Sequence, residues 1–412
     1  MTVLNKKIPL IWPLLAAAFA VRLLAFVFID FMFENDIRTF QIWATELAYN
    51  GPRNFYTGDM WSDYPPGFLY VLTLLGLARG VFGWEILSPV FNFFTLLPAM
   101  LADVVIGYVI YYKTRETKPV LFFVALWVFN PAIILISSVW GQVESVFLLP
   151  LVISLFLLRE KKLLSAYIIY GVAILIKPQS LFLGPVYLFS AFDHVREHKY
   201  AGMEFKRLGL YILGALLGML VLAFPFTRNF NYLPVFEQFW GGLDMYNFGT
   251  VNAFNVWALA GRNWMPLDAR FLGLSHATWG VIIALVIIVG IMAALERDKQ
   301  RGSGYYWLIV AGVFFFTFVF SVKMHERYMF PALLFFLLYA LEKPRPDSFA
   351  LYAAASVTFF VNCLAVLRAY HAGWDFSVLD GSMHITAWAN VAIAMWMIVL
   401  IFCIHKKKGQ RK

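Results

Sequence analysis

At 412 residues, with 61% hydrophobic and 14% charged residues and a mean hydropathy of +0.73, the chain is too apolar for soluble globular domains. A net charge of +9 does not indicate a nucleic-acid binder, because Lys and Arg stand in short clusters between apolar runs, the pattern of loops held on the cytoplasmic side of a bilayer. Cys363 and Cys403 lie far apart inside apolar stretches, which excludes a disulfide framework and a cysteine metal site. These features define an integral membrane protein with the lipid bilayer as its main solvent.

The first apolar run, 8–31, continues to Phe33. At about 25 residues it is too long for the apolar region of a cleaved leader and reads as an anchor. Basic clusters follow at Lys6-Lys7, 113–118, 159–162, 196–207, 296–301, 342–346 and 405–412, and hold most of the 33 Lys and Arg. If all are cytoplasmic, an even number of crossings separates neighbours. Of the stretches 8–31, 66–83 and 89–112, one therefore does not span. The one expected to lie on the outer surface or re-enter is 66–83, which follows Pro65 and contains Arg79.

Between 159–162 and 196–207 the apolar run is interrupted by "IKPQS", and parity divides it into helices 163–176 and 180–193. At 1.5 Å per residue each covers only about 21 Å, so Lys177 is expected to face a cavity below the outer surface. Further spans are expected at 119–137, 143–158, 208–226, 278–295, 305–321, 328–341, 348–370 and 386–404. The fold class is an all-α, polytopic transmembrane helix bundle of about twelve spans, one integral membrane domain over 1–412 with both termini cytoplasmic. Thirteen spans with the Lys-rich tail outside is the alternative. The connection 227–277, with Trp240, Trp257 and Trp264, is expected to be external and interfacial.

That topology gathers polar residues on the extracytoplasmic side: Glu34 and Asp36, Asp63, Gln142 and Glu144, Lys177 and Gln179, Arg228, and Lys323, His325, Glu326 and Arg327. Charge is costly in hydrocarbon, so such a set facing one cavity suggests work on an anionic, hydroxyl-bearing ligand. Each residue also has a structural reading. Asp36 can cap a surface helix, Asp63 can fix a turn, Gln142 and Glu144 can cap a helix, and 323–328 can be a solvated turn. Arg22 and Asp103, inside predicted spans, call for interhelical partners.

Asp36, "DYPPGFLY" at 63–70, "NPAIILISSVWGQVES" at 130–145, "KPQSL" at 177–181 and "KMHERYMFP" at 323–331 together resemble the GT-C superfamily of polyprenyl-phosphate-sugar-dependent glycosyltransferases. The similarity is greatest to the glucosyltransferases of N-glycan assembly and to bacterial proteins related to the GPI mannosyltransferases. It covers 1–341, including external loops 32–88 and 227–277; the two C-terminal spans and basic tail of 342–412 carry no signature. The resemblance implies a plasma-membrane hexosyltransferase, moving a mannose- or glucose-type sugar from a polyprenyl-phosphate-linked donor to a glycan, lipid or polymer hydroxyl, with inversion. It also implies that an acidic residue of the first external loop is the base, here Asp36 or Glu34, and that His325, Glu326 and Arg327 lie near the donor phosphate. Lys177 joins them as a phosphate partner, with Gln179, Arg228 and Lys323 as further candidates. No DxD pair is present, so neither a metal nor another cofactor is required by a readable motif. The rival from another class is a multi-span transporter or lipid flippase.

Overall fold

The structure, a computed structural model, describes residues 9–57, 60–117, 119–375 and 379–403. Lys6, Lys7, Lys118 and the tail 405–412, all expected on the cytoplasmic side, lie outside the described residues.

Helix α1, Ile11–Phe28, leads through an extended link into α2, Glu34–Asn50. Ile37, Phe40, Trp43, Ala44 and Leu47 recur on α2 at three- and four-residue spacing and are buried, whereas Glu34 and Asn35 are exposed. This is the pattern of an amphipathic helix with one covered face. Pro66 starts α3, Pro66–Phe82, which packs on α2 so closely that a Cβ on Gly76 would lie 1.8 Å from the Ala44 carbonyl oxygen. The other face of α3 exposes Leu74, Leu77, Val81 and Phe82.

Next come α4, Pro89–Thr114, capped by Ser88, and α5, Val120–Val128. Pro131 lacks the N–H that would continue α5, and the chain restarts as α6, Pro131–Ile134, and a π-helical turn, Leu135–Trp140. Helices α7, Glu144–Arg159, and α8, Leu163–Ile176, are followed by a 3₁₀ segment, Pro178–Leu183, and α9, Gly184–Glu197. The break expected around Lys177 is therefore present, with the second helix beginning later than expected because Pro178 and Pro185 each favour a helix start.

After α10, Gly202–Ala223, the segment 227–277 holds α11, Leu233–Asp244, β1, Thr250–Val251, α12, Val256–Leu259, and a hairpin of β2, Arg270–Phe271, with β3, Leu274–Ser275. Trp257 is turned inward and donates to the Phe320 carbonyl at 2.8 Å, so it is a packing residue rather than an interfacial one. The described residues continue with α13, His276–Arg301, α14, Tyr306–Phe320, β4, Met324–His325, α15, Phe330–Glu342, α16, Pro346–His371, and α17, Asp380–Ile398, which runs on into a π-helical turn, Val399–Cys403.

Among the described residues, seven helices are long and apolar enough to cross a membrane: Ile11–Phe28, Pro89–Thr114, Val120–Trp140, Gly202–Phe226, His276–Arg301, Pro346–His371 and Gly381–Cys403. Burial sorts the apolar helices into two kinds. Apart from its terminal Glu342, α15 is buried on every side, with Phe335 stacked between Trp307 and Phe314. Helices α10 and α13 are as apolar yet leave most of their surface uncovered, an area that belongs in lipid. The fold is an all-α membrane bundle.

Ion pairs mark one end of it: Lys113 with Glu160, Arg159 with Glu342, Lys161 with Glu197, Arg196 with Glu296, and Lys299 with Asp193 and Glu197. They join the turns after α4, α7, α9, α13 and α15, so the basic clusters around these turns share one end. Such exposed pairs stabilise by only about 0–1 kcal/mol each and serve here to report position. Deep in the bundle, Arg22 pairs with Asp103 at 3.0 Å and donates to the Val128 carbonyl at 2.8 Å, while Ser145 donates to the other Asp103 oxygen. The interhelical partners that these two residues called for are each other.

Candidate active site

Three local devices bring the polar residues to the opposite end. First, the π-helical turn lets the Gly141 and Gln142 N–H groups both donate to the Ile136 carbonyl at 3.0 Å. Gly141 has φ +87°, and a Cβ there would meet Ile37 at 2.3 Å, so glycine alone suits the turn. Trp140 and Gln142 thereby reach α2, where both donate to Asp36 Oδ2, Trp140 over 3.4 Å. Asp36 lies inside the first turn of α2 and makes no capping bond, so its expected structural use is not the one it has.

Second, α8 stops against Gly67, where a Cβ would stand 2.6 Å from the backbone of Leu175 and Ile176. Lys177 then turns extended, with φ −151°, and its Nζ donates to Glu144 Oε1 at 2.5 Å, both side chains being buried. Third, β4 pairs in parallel with β1, matching Met324 to Thr250 and His325 to Val251. This holds the 323–328 turn inside the protein. Arg327 donates to Glu326 Oε1 at 2.7 Å and places Nε 3.5 Å from Glu144 Oε1, an ion pair without hydrogen-bond geometry.

A cavity of about 660 Å³ opens beside this cluster. One part of its wall is polar: Asp63, Lys177, Gln179, Lys323, His325 and Arg327. The other is apolar, with Phe182 and Pro185, Val281, Ala284 and Ile288 of α13, and Val313 of α14. Asp36, Gln142, Glu144 and Glu326 are not in the wall; the last two touch the wall residues Lys177 and Arg327.

Burial shifts the charges outside the helical spans. It raises the Asp36 carboxyl, opposed chiefly by Arg327, raises Glu326 likewise, and lifts Asp63 to about 6. Burial, with Arg327 and Lys177 adding to it, holds the His325 imidazole well below 6.5, so this histidine is neutral and offers a hydrogen bond instead of a positive charge. Gln142 Oε1, Glu144 Oε2 and Gln179 Nε2 are buried with no hydrogen-bond partner among the described residues, and of the three only Gln179 lines the cavity, where its amide can meet a ligand.

Two expected residues stand apart. Glu34 is exposed, on the side of α2 near Tyr370, and Arg228 is exposed in a turn bridged to Asn231, outside the cavity wall. Other contributors escaped the sequence. Tyr246 and Tyr328 flank His325, with ring centroids 4.5 and 5.0 Å away, and line the cavity. Asn362 of α16 donates to the Asn252 carbonyl at 2.8 Å and accepts from the Phe254 N–H at 2.9 Å, and Asn390 of α17 donates to the Phe254 carbonyl at 2.9 Å. The two C-terminal helices thus hold the segment that carries β1. Asn362, a lone amide in mid-span, gives the same kind of signal as Lys177. No protein-family model matches this sequence, and no curated protein matches it.

Proposed function

We propose that the chain is a membrane glycosyltransferase of the GT-C kind, moving one mannose- or glucose-type sugar from a polyprenyl-phosphate donor to a hydroxyl of a glycan, lipid or polymer outside the cytoplasm. The observation that carries this reading is the two-part cavity, with Lys177, Lys323 and Arg327 in one part and an apolar groove against α13 and α14 in the other. A free phosphate has no use for the groove, and a neutral lipid has no use for the polar part.

In this reading Asp36 takes the proton of the acceptor hydroxyl as that oxygen attacks the anomeric carbon. The sugar–phosphate bond breaks in the same step, and its electron pair leaves with the lipid phosphate. Attack opposite the leaving group inverts the centre. Trp140 and Gln142 hold Oδ2 of Asp36, which orients the carboxylate, and its raised basicity suits a general base, worth about 10²- to 10⁴-fold in rate. Arg327 and Lys177 meet the charge growing on the phosphate, and His325 adds a neutral hydrogen bond. Phosphate leaves readily, so no general acid is assigned, and no readable motif requires a metal. The exposure of Glu34 favours Asp36 over it.

The same reading places twelve crossings in the plasma membrane. Helices α2 and α3 lie at the outer surface, the ion-paired turns and both termini are cytoplasmic, and the cavity's polar part is external. Donor binding to purified protein in nanodiscs tests the site. Polyprenyl-phosphate mannose or glucose is expected to bind wild type and Asp36→Asn alike and to bind Arg327→Gln at least 10-fold more weakly. Equal binding by Arg327→Gln counts against the assignment. Movement of the donor lipid across the bilayer without sugar transfer favours the transporter or flippase reading.

A further inference from the structure

At the end of the bundle opposite the cavity, α9 finishes with His194 in its last turn and His198 at its C-terminal boundary, one helical turn apart on one face. Lys199 and Tyr200 both adopt left-handed backbone, φ +54° and +58°, and turn the chain back so that Glu204, in the first turn of α10, faces the two histidines. One donor atom each from His194, His198 and Glu204 lies within 4.8 Å of the others.

The hydrogen bonds around the three are those that a metal-ligand set uses. His198 Nδ1 is 2.8 Å from the His194 carbonyl; donating there fixes the tautomer and leaves the Nε2 lone pair available. His194 Nε2 is 2.9 Å from Glu204 Oε2, sharing one proton that a cation would replace. Glu204 Oε1 is held by Arg207 at 2.7 Å, which orients the carboxylate and leaves Oε2 as a single ligand atom. In a tetrahedral zinc site, bonds of about 2.0–2.1 Å put ligand atoms about 3.3 Å apart, so small side-chain rotations close this arrangement.

We propose that His194, His198 and Glu204 form a binding site for one divalent cation of the zinc class. Two imidazoles and one carboxylate favour Zn²⁺, Co²⁺, Ni²⁺ or Cu²⁺ over Mg²⁺ and Ca²⁺, which prefer all-oxygen sites. The cation joins the end of α9 to the start of α10. His194 lies ten residues, about 15 Å, along α9 from its Gly184 end next to the cavity, so the site is independent of the proposed transfer chemistry.

The test uses the full chain without a polyhistidine tag, stripped with chelator and titrated with Zn²⁺ by equilibrium dialysis. Co²⁺ provides a visible ligand-field band as a second probe. The expected result is one ion per chain, a rise in melting temperature with Zn²⁺, and at least 10-fold weaker binding in each of His194→Ala, His198→Ala and Glu204→Gln. Mg²⁺ is expected to leave the melting temperature unchanged. If a variant misfolds, the Co²⁺ band of the wild-type chain still reports tetrahedral nitrogen and oxygen ligation. No saturable binding by wild type, or equal affinity in a folded His194→Ala/His198→Ala chain, overturns the site.

Discussion

Lys177 Nζ and Glu144 Oε1 stand 2.5 Å apart in the interior, and the same glutamate oxygen is 3.5 Å from Arg327 Nε. One carboxylate thus restrains two cations that come from segments 150 residues apart in sequence. Glu144→Gln leaves those cations with too little negative charge between them. The expected cost is about 3–5 kcal/mol, the range for breaking a buried ion pair, seen as a lower melting temperature in detergent. Adding Lys177→Gln is expected to restore part of it, because the second change removes an unpaired charge. Equal stability of Glu144→Gln and wild type counts against the pair as a structural element.

Gly67 tests how the site depends on backbone approach. A Cβ there would lie 2.6 Å from the Leu175 and Ile176 backbone, contacts that a side-chain rotation cannot relieve. Gly67→Ala is expected to destabilise by about 1–3 kcal/mol, as overpacking does. Because the residue pushed aside precedes Lys177, donor binding is expected to weaken as well. Unchanged melting and donor binding by Gly67→Ala speak against that route of positioning.

The run of apolar segments was legible in the sequence because long apolar stretches have few alternatives to helix in a bilayer, and Lys177 was legible because a charge in mid-run needs a cavity. Arg228 stands outside the cavity wall, which the sequence could not show, because a basic residue beside a span looks the same whether the loop folds inward or into solvent. Glu34 and Asp36 are two positions apart, about 200° around a helix, so one faces the protein and the other does not. Only the packing of α2 on the rest of the bundle decides which. The neutral state of His325 and the hold of Asn362 on 252–254 depend on burial and on contacts between segments more than 100 residues apart, which no local pattern carries.

Asp63 predicts a signed pH effect. Burial raises its carboxyl from 3.8 to about 6. A group whose folded value is raised contributes stability below its unfolded value and loses it as pH climbs through the folded one, here between about pH 4 and pH 6. Asp63→Asn removes that loss. The variant is expected to be more stable than wild type at pH 7.5, by about 1–3 kcal/mol and so with a higher melting temperature, and to melt at the same temperature at pH 4. A variant that melts lower at pH 7.5 contradicts the sign.

Asn362 is expected to matter although it touches neither the cavity nor the proposed base. Asn362→Leu strips partners from the Phe254 N–H and the Asn252 carbonyl, and each buried group left bare costs about 1–3 kcal/mol. Asn252 bridges to His325, so the change is expected to loosen the 323–328 turn and raise KM for the donor more than it lowers kcat. Proteolysis of the 250–264 segment gives an independent reading: faster cleavage supports the clamp, and an unchanged rate removes it.

Sugar transfer by the purified chain in nanodiscs tests the central claim most directly, with labelled polyprenyl-phosphate mannose and glucose as donors, membrane extract as acceptor, and wild type set against Asp36→Asn and Asp63→Asn. Wild type is expected to transfer one of the two sugars. Asp63→Asn is expected to retain activity within about 10-fold, whereas Asp36→Asn, folded and still binding donor, loses about 10²- to 10⁴-fold. Equal transfer by wild type and Asp36→Asn contradicts the assignment of the base, and no transfer of either sugar by wild type, despite donor binding, contradicts the transferase itself.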